Sequence, residues 1–283
     1  MTVLLLRLAG PLQAWGSASR FTRRTTENAP TKSGVLGLLA SAEGRPRGAD
    51  LSDLAALRFG VRIDQPGTRV KDFHKAENGD TGRVMPLSDR YYLADAVFVA
   101  GVEGEDELVR RLHDAVGAPR FLPFLGRRSC PPSRPLLFDE SLTDRPLQEA
   151  LREAPWQASH WYVRQLGRTA SATGAPPVPE ELDLLLDCPP DQTPDFSLRD
   201  TPVSFDPRHR QYAVRGVRAG HVSAPPRQDG APPPHDPTSH LRRATRHDPT
   251  SHLRPAPPHG GPETGGSAGD TSLRTARPAS DAS

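Results

Sequence analysis

The stretch LAGPLQAWGSASRFTRRTTENAPTKSGVLGLLAS, residues 8–41, decides the fold at the start of the chain. It begins at the end of an apolar run, Thr2 to Leu8, that is typical of a central β-strand covered on both faces. It ends in an apolar stripe of helical period, for which Thr31 is a suitable N-cap. The stretch therefore predicts a strand, a polar connection and a helix.

The next elements extend this strand and helix to a βαββαβ order. LSDLAAL (51–57) predicts a helical turn, RFGVRID (58–64) a half-buried strand, and TRVKDFHKA (68–76) a hairpin arm. RYYLADAVFVAGVEG (90–104) predicts a strand with a bend, and EDELVRRLHDAVGAP (105–119) a helix that Gly and Pro end. With the last strand expected in the stretch after this helix, the fold class is α+β, ferredoxin-like or RRM-like.

We divide the chain into three regions on this basis. Residues 1–138 form the RRM-like domain, with an exposed thumb hairpin whose loop is about 77–86. Residues 139–221 form a small, mainly-β region, in which the sequences SHWYVRQL, ELDLLLDCP and FDPRHRQYAVRGVRAG predict strands. Residues 222–283 contain no aromatic residue and are rich in Pro, His and Arg. Such a segment buries too little apolar surface to offset its chain entropy, which predicts disorder.

Repeats, histidines and cysteines indicate neither a solenoid nor a metal site. HDPTSHLR occurs twice in the tail, at 235–242 and 247–254. Two copies containing Pro indicate a local duplication, and the nearby histidines lack a packed site that would fix metal geometry. The two cysteines are too few for a disulfide framework. We predict no metal, no cofactor and no contact with a membrane, and a cytoplasmic location.

Positive charge is clustered locally, since the net charge is only +2. Local clusters suit a polyanion bound along a defined path, although surface arginines are also commonly solvated. The clusters are Arg20, Arg23, Arg24 and Lys32; Arg127 and Arg128; and Arg208, Arg210, Arg215 and Arg218.

The opening connection has two interpretations. In the first, the N-terminus of the helix binds a phosphate beside Lys32 and Ser33, while Trp15 and Phe21 stack on unpaired bases and Gln13 hydrogen-bonds RNA. In the second, Trp15 is a core aromatic residue and the arginines are solvated. These residues by themselves leave both interpretations open.

The stretch PRFLPFLGRRSCPPSRPL, residues 119–136, favours the first interpretation. It lies where the last strand of the βαββαβ unit is expected, yet it carries Gly126, Arg127, Arg128 and Ser129 followed by prolines. Glycine allows the backbone to approach a ligand, and adjacent arginines supply forked donors for phosphate oxygens.

Taken together, residues 6–44 and 119–136 closely resemble the CasD family, the Cas-five-type subunits of the type I-E CRISPR Cascade complex. VKDFHKA and RYYLADAVFVAGV fall at matching positions, and the resemblance is loose over 196–218. It implies a RAMP-superfamily, RRM-like fold that caps the 5′ handle of the crRNA. It also implies contact with neighbouring backbone and large subunits, and with target DNA only within the assembled complex.

Carried onto this sequence, the resemblance implies a specific set of RNA-binding residues. The first group comes from the two stretches and comprises Gln13, Trp15, Lys32, Ser33, Arg127 and Arg128. The second group lies near the base of the thumb, where the side chains could instead face a protein neighbour, and comprises Lys71, His74, Arg90 and Tyr91.

The main alternative is a metal-independent endoribonuclease that processes repeat RNA. Such cleavage needs a base near a 2′-OH and an acid or cation near the leaving oxygen, roles open to His74, the flanking Lys71 and Lys75, and Tyr91 or Tyr92. The family resembled is non-catalytic, so we predict a binding protein. A stand-alone RNA-recognition domain is disfavoured because its alternating aromatic motif is absent from the sequence.

Overall fold

The computed structural model describes residues 1–17, 23–174, 178–206 and 208–226. Its helices are α1 (Lys32–Glu43), α2 (Ser52–Ala55), α3 (Asp106–Gly117), α4 (Leu147–Glu153) and α5 (His160–Thr173). Its strands are β1 (Thr2–Ala9), β2 (Leu12–Gln13), β3 (Arg23–Arg24), β4 (Arg58–Gln65), β5 (Thr68–His74), β6 (Ser88–Ala94), β7 (Val97–Gly104), β8 (Leu142–Thr143), β9 (Glu181–Asp187), β10 (Phe196–Ser204) and β11 (Gln211–Ser223).

An antiparallel sheet of the described residues runs in the order β10–β11–β9–β4–β7–β1–β8. Within it, β1, β4, β7 and β8 are the four strands of the βαββαβ unit, and α1 and α3 are its two helices. The third strand therefore lies between the first and the second, and the fourth pairs with the other edge of the first. This is a ferredoxin-like arrangement, and the predicted α+β fold class is confirmed.

Strand β1 lies between two cores, as its continuous apolar sequence predicts. Leu4, Leu6 and Leu8 belong to the core beneath α1 and α3. Val3 and Leu5 point the other way and pack with residues of α4. Because side chains alternate along a strand, burial on both faces favours a continuous apolar run such as Val3 to Leu6.

The two helices of the unit also match their sequence signals. The Thr31 hydroxyl accepts a hydrogen bond from the Gly34 amide at 3.3 Å and caps α1. Helix α3 buries Val109, Leu112 and Val116 against the sheet. Spacings of three and four residues place these side chains on one face.

The alternating pattern of β4 predicted a half-buried strand, but both of its faces are largely buried. The face predicted to be exposed carries a buried ion pair. Arg62 and Asp64 are both inaccessible to solvent, and Arg62 Nε donates to Asp64 Oδ1 at 2.7 Å. Arg62 Nη1 also donates to the carbonyl oxygens of Leu151 and Ala154, each at 2.6 Å. The polar position at Arg62 therefore attaches the end of α4 to the sheet and does not face solvent.

Two further local predictions were wrong. The fourth strand was expected in residues 119–136, but it is the two-residue β8 further along the chain. Prolines have no amide N–H to donate, so the proline-rich 119–136 cannot form a full ladder of hydrogen bonds. SHWYVRQL forms part of helix α5 and not a strand. Its aromatic and β-branched residues favour strand locally, but Tyr162, Val163 and Leu166 have helical spacing and pack against the second core.

The sheet is continuous across the predicted division at residue 138, because β9 pairs with β4. Residues 139–221 contribute the helices α4 and α5 as well as the strands β8, β9, β10 and most of β11. Strand β11 continues to Ser223, and Val222 is 7% exposed, so ordered structure extends past the predicted start of the tail. Both copies of HDPTSHLR lie outside the described residues.

A second, smaller sheet holds the predicted thumb. Strands β5 and β6 form an antiparallel hairpin, and β2 and β3 pair with β6. Residues 77–86 between β5 and β6 are exposed, with one bridge between Glu77 and Val84. None of the helices in the described part of the chain is both long and apolar enough to cross a bilayer.

Candidate nucleic-acid interface

Two loops meet beside helix α1. We call residues 10–30 the first loop, of which 18–22 are not described, and residues 118–136 the second loop. The Ala14 amide donates to the Leu125 carbonyl at 3.1 Å. The next residue, Gly126, has φ +83°, and a Cβ there would overlap the Ala14 carbonyl oxygen. Only glycine permits this backbone approach, so the two stretches singled out in the sequence lie in direct contact.

Arg127 extends this contact to the thumb hairpin. Its Nη2 donates to the Arg24 carbonyl at 2.9 Å, and its guanidinium carbon lies 4.6 Å from the centroid of the Tyr92 ring. Tyr92 is itself only 3% exposed. A cation held over an aromatic face is fixed in position while it keeps its charge. Arg127 is therefore a positioned cation at the junction of three segments.

A groove of about 1100 Å³ opens between these loops, the outer side of α1 and the β10–β11 hairpin. We call it the arginine groove, because the described residues that line it include many arginines and neither Asp nor Glu. The arginines are Arg24, Arg45, Arg47, Arg127, Arg128, Arg199 and Arg210. Its apolar lining includes Phe121, Leu122, Phe124, Phe205 and Tyr212. Cations interleaved with aromatic rings suit an unpaired nucleic acid strand.

Arg45 is the one arginine of this lining that the described structure places in carboxylate pairs. Its Nη2 lies 2.6 Å from Asp53 Oδ2 and its Nε 2.6 Å from Glu43 Oε2. The hydrogen bonds to Asp53 and Glu43 hold the pKa of Arg45 above its ordinary value. Arg45 therefore supports the groove wall and contributes less net positive charge to a ligand than its neighbours do.

The predicted contacts of Gln13 and Trp15 with RNA are not compatible with their positions. Both side chains are inaccessible to solvent. Gln13 Nε2 donates to the Leu8 and Ala96 carbonyls, and its Oε1 accepts from Trp15 Nε1 at 3.0 Å. The indole packs on α1 so closely that a Cβ at Gly34 would lie 2.7 Å from it. The second interpretation of Trp15 is therefore correct: it forms the floor beneath the groove.

The predicted phosphate site at the start of α1 is occupied by the protein's own carboxylates. The Lys32 amide donates to Asp200 Oδ2 at 2.8 Å, and Lys32 Nζ lies 3.0 Å from Asp187 Oδ2. Arg215 bonds both carboxylates, at 2.7 Å to Asp200 and 2.8 Å to Asp187. Lys32 thus stabilises the attachment of β9 and β10 to the helix. Its neighbour Ser33 lines the groove.

The four predicted residues of the thumb base lie on the hairpin and not in the lining of the groove. Lys71 and Tyr91 are opposite each other in the ladder, with Lys71 Nζ 3.0 Å from Asp89. Arg90 lies opposite Asp72, and His74 Nε2 is 2.6 Å from that carboxylate. Because side chains alternate along a strand, Lys71 and Tyr91 lie on one face of the hairpin, and His74 and Arg90 lie on the other.

Some groove residues were missed by reasoning from sequence. Arg45 and Arg47 follow directly after α1, and a basic pair just past a helix end is a signal that could have identified them. Arg199 comes from the stretch 196–218, where the family resemblance is loose and from which no site residue was selected. Arg210 belonged to a recognised cluster but was not selected as a site residue. Arg20 and Phe21 of the first loop lie outside the described residues.

Comparison with known proteins now assigns the chain. A family model described as CRISPR-associated protein (Cas_Cas5) matches residues 3–218. The chain belongs to this Cas5 family. The match covers the main sheet except Thr2 and residues 219–223, and the family resemblance seen in the sequence is confirmed.

Individual Cas5 relatives agree with this assignment. The chain is 35% identical over 173 residues to the CRISPR system Cascade subunit CasD of Escherichia coli strain K12, across 54% of this chain and 77% of that protein. A crystal structure of a Cas protein is 38% identical with TM-score 0.62, over 81% of this chain and all of that one. A chain of a CRISPR RNA-guided surveillance complex is 31% identical with TM-score 0.59, over 79% and 91% of the two chains.

Proposed function

We propose that this Cas5-family protein is a non-catalytic, crRNA-binding subunit of a type I-E Cascade complex. In this role it grips the 5′ handle of the crRNA, contacts neighbouring backbone and large subunits, and meets target DNA only within the assembled complex. The kinship with the Cascade subunit CasD supports the assembly. The observation that carries RNA binding is the arginine groove, where seven arginines and several apolar and aromatic side chains line one cleft without a carboxylate among the described lining residues.

The groove residues divide into positioned and adaptable cations. Arg127 is held by the Arg24 carbonyl and the Tyr92 ring, whereas Arg128 beside it is exposed. A fixed guanidinium loses little freedom when it binds a phosphate, and an exposed neighbour supplies a second charge-assisted hydrogen bond. Together they supply the strongest predicted contact with the RNA backbone.

The test is binding of labelled RNA of the cognate repeat-derived 5′ handle to the full chain, measured by fluorescence anisotropy over a salt series. Arg127→Ala with Arg128→Ala should weaken binding at least tenfold. It should also reduce the slope of log K against log salt by about 1.4, since each phosphate contact on a single strand contributes about 0.7. The matched control is Arg164→Ala with Arg168→Ala, two exposed arginines of α5 on the other side of the sheet.

The outcomes separate a local effect from a general one. If both double variants weaken binding equally, RNA senses only net charge and the assignment of the groove is wrong. If neither does, RNA binding by this face is refuted. Arg128 forms no hydrogen bond or ion pair within the described residues, so weaker binding by Arg128→Ala alone is not caused by the loss of an internal polar interaction.

The geometry of the hairpin supports the non-catalytic role over the endoribonuclease alternative. His74 lies opposite Ser88 in the ladder, so Tyr92 is four residues further along, roughly 14 Å away by strand rise. Tyr91 is roughly 10 Å away and on the other face. Neither tyrosine therefore lies beside His74 on the hairpin, which favours the binding role. Incubation of repeat RNA with the protein in EDTA should leave it intact, and a discrete cut lost in His74→Ala would establish the alternative.

A further inference from the structure

The C-terminal hairpin contributes a wall to the arginine groove that no family motif in the sequence had pointed to. Phe205 and Tyr212 both line the groove, with ring centroids 6.4 Å apart and planes at 57°. Arg199 and Arg210 line it beside them, and both are exposed. Arg210 lies two residues before Tyr212, and Arg199 is opposite Val214, two residues after Tyr212, so the two cations lie on either side of this ring along the hairpin.

Strand β10 places two neighbouring residues, Arg199 and Asp200, in different surroundings. The ladder between β10 and β11 shifts register between Arg199 and Thr201, which leaves Asp200 as an extra residue. Such a bulge changes the direction of the side chains around it. Asp200 accepts a hydrogen bond from the Lys32 amide, while the adjacent Arg199 lines the groove.

Phe205 and Tyr212 have different roles in this wall. A Cβ added to Gly37 of α1 would lie 3.6 Å from two atoms of the Phe205 ring, which is ordinary packing distance. Phe205 therefore attaches the hairpin to the helix. Tyr212 is half-buried, so part of its ring remains accessible from the groove.

We propose that Tyr212, supported by Phe205 and flanked by Arg199 and Arg210, is a stacking platform for one unpaired base of the bound RNA. This rests on the proposed function and adds a subsite to it. A nucleotide combines a flat apolar base with an anionic phosphate, which matches an aromatic ring between two arginines in a cleft whose described lining carries no carboxylate. The lining of the groove includes residues of both the second loop and this hairpin, so we expect one bound strand to contact both.

The experiment compares Tyr212→Leu, Tyr212→Phe and the exposed Trp161→Leu of α5 for binding of repeat-derived RNA by the full chain. Tyr212→Leu should weaken binding roughly 5- to 150-fold, the range for loss of one base–aromatic stack. Tyr212→Phe should retain affinity, because the ring and not the hydroxyl supports the base. Trp161→Leu, on the opposite side of the sheet, should bind like wild type.

A scan of RNAs with one abasic position each identifies the stacked base. At one position the abasic RNA should bind wild type as weakly as intact RNA binds Tyr212→Leu, and the two changes together should cost no more than either alone. If Tyr212→Leu weakens every abasic RNA by the same factor, its effect is on the fold of the hairpin and the stacking subsite is refuted.

The result also distinguishes this inference from the proposed function. If Tyr212→Leu binds like wild type while Arg127→Ala with Arg128→Ala does not, the subsite is wrong and RNA binding by the groove stands. If the arginine double variant itself binds like wild type, the proposed function fails whatever Tyr212 does.

Discussion

Gly126→Ala is the change that most directly tests whether the contact between the two loops builds the groove. A methyl group there would overlap the Ala14 carbonyl oxygen and lie 2.7 Å from its carbon, both inside the 3.0 Å that real Cβ atoms keep. Both contacts are to backbone, which cannot rotate away. The loops must therefore separate, and the Ala14–Leu125 hydrogen bond is the first interaction lost.

The magnitude follows from two contributions. Placing a Cβ at φ +83° costs about 1–2 kcal/mol, and loss of the hydrogen bond costs about 1 kcal/mol. A free energy of unfolding lowered by about 2–3 kcal/mol corresponds to a midpoint about 4–12 °C lower for a domain of this size. RNA affinity should fall by more than stability alone explains, because Arg127 moves with the loop.

Gly174→Ala is the matched control. Gly174 ends α5 at φ +71°, and a Cβ there meets no atom within 4 Å in the described part of the chain. This variant therefore carries the backbone strain without the overlap. Thermal unfolding by circular dichroism and anisotropy with handle RNA measure both variants. If Gly126→Ala lowers the midpoint no more than Gly174→Ala and binds RNA normally, the loop contact does not shape the groove.

Two further predictions concern the frame of the fold. Arg62→Met should lower the free energy of unfolding by about 3–5 kcal/mol in urea titrations, since Asp64 keeps a buried charge without its partner, and adding Asp64→Leu should restore most of the loss. Burial already raises the pKa of Asp64, and removing Arg62 raises it further, so the loss should shrink as the pH falls and the carboxyl takes up a proton; a loss that grows at low pH contradicts this. Deleting 227–283 should leave the thermal midpoint unchanged, whereas deleting 222–283 should lower it, because the second deletion also removes the end of β11 and the buried Val222.

The sequence predicted the fold well wherever burial alone determined the pattern. The apolar run of β1 and the stripe of α3 each depend on one requirement, contact with a core, which local periodicity records. The pattern failed at Arg62 and Asp64, since alternation cannot distinguish solvent from a buried ion pair. It also failed at α5, where aromatic and β-branched residues favoured strand locally but tertiary packing selected helix.

The candidate site was predicted as a region more accurately than as a set of side chains. The loops around Trp15 and Arg127 do meet. Gly126 lets the two backbones approach each other, and a glycine at this position is visible in the sequence. Which side chains face outward depends on partners far along the chain. Asp200 is 168 residues from the Lys32 amide that it accepts from, and no local signal connects the two.

Ion pairs with carboxylates therefore distinguish the arginines and lysines that stabilise the fold from those that are available to a ligand. Lys32 and Arg215 share Asp187 and Asp200, and their charges are neutralised inside the protein. Arg128 and Arg210 form no ion pair within the described residues and face the groove. Since a polyanion gains most from cations that have no internal carboxylate, handle affinity should depend on the second pair and folding on the first. A basic residue at a helix N-terminus indicates an anion site only once its own chain has been shown not to supply the anion.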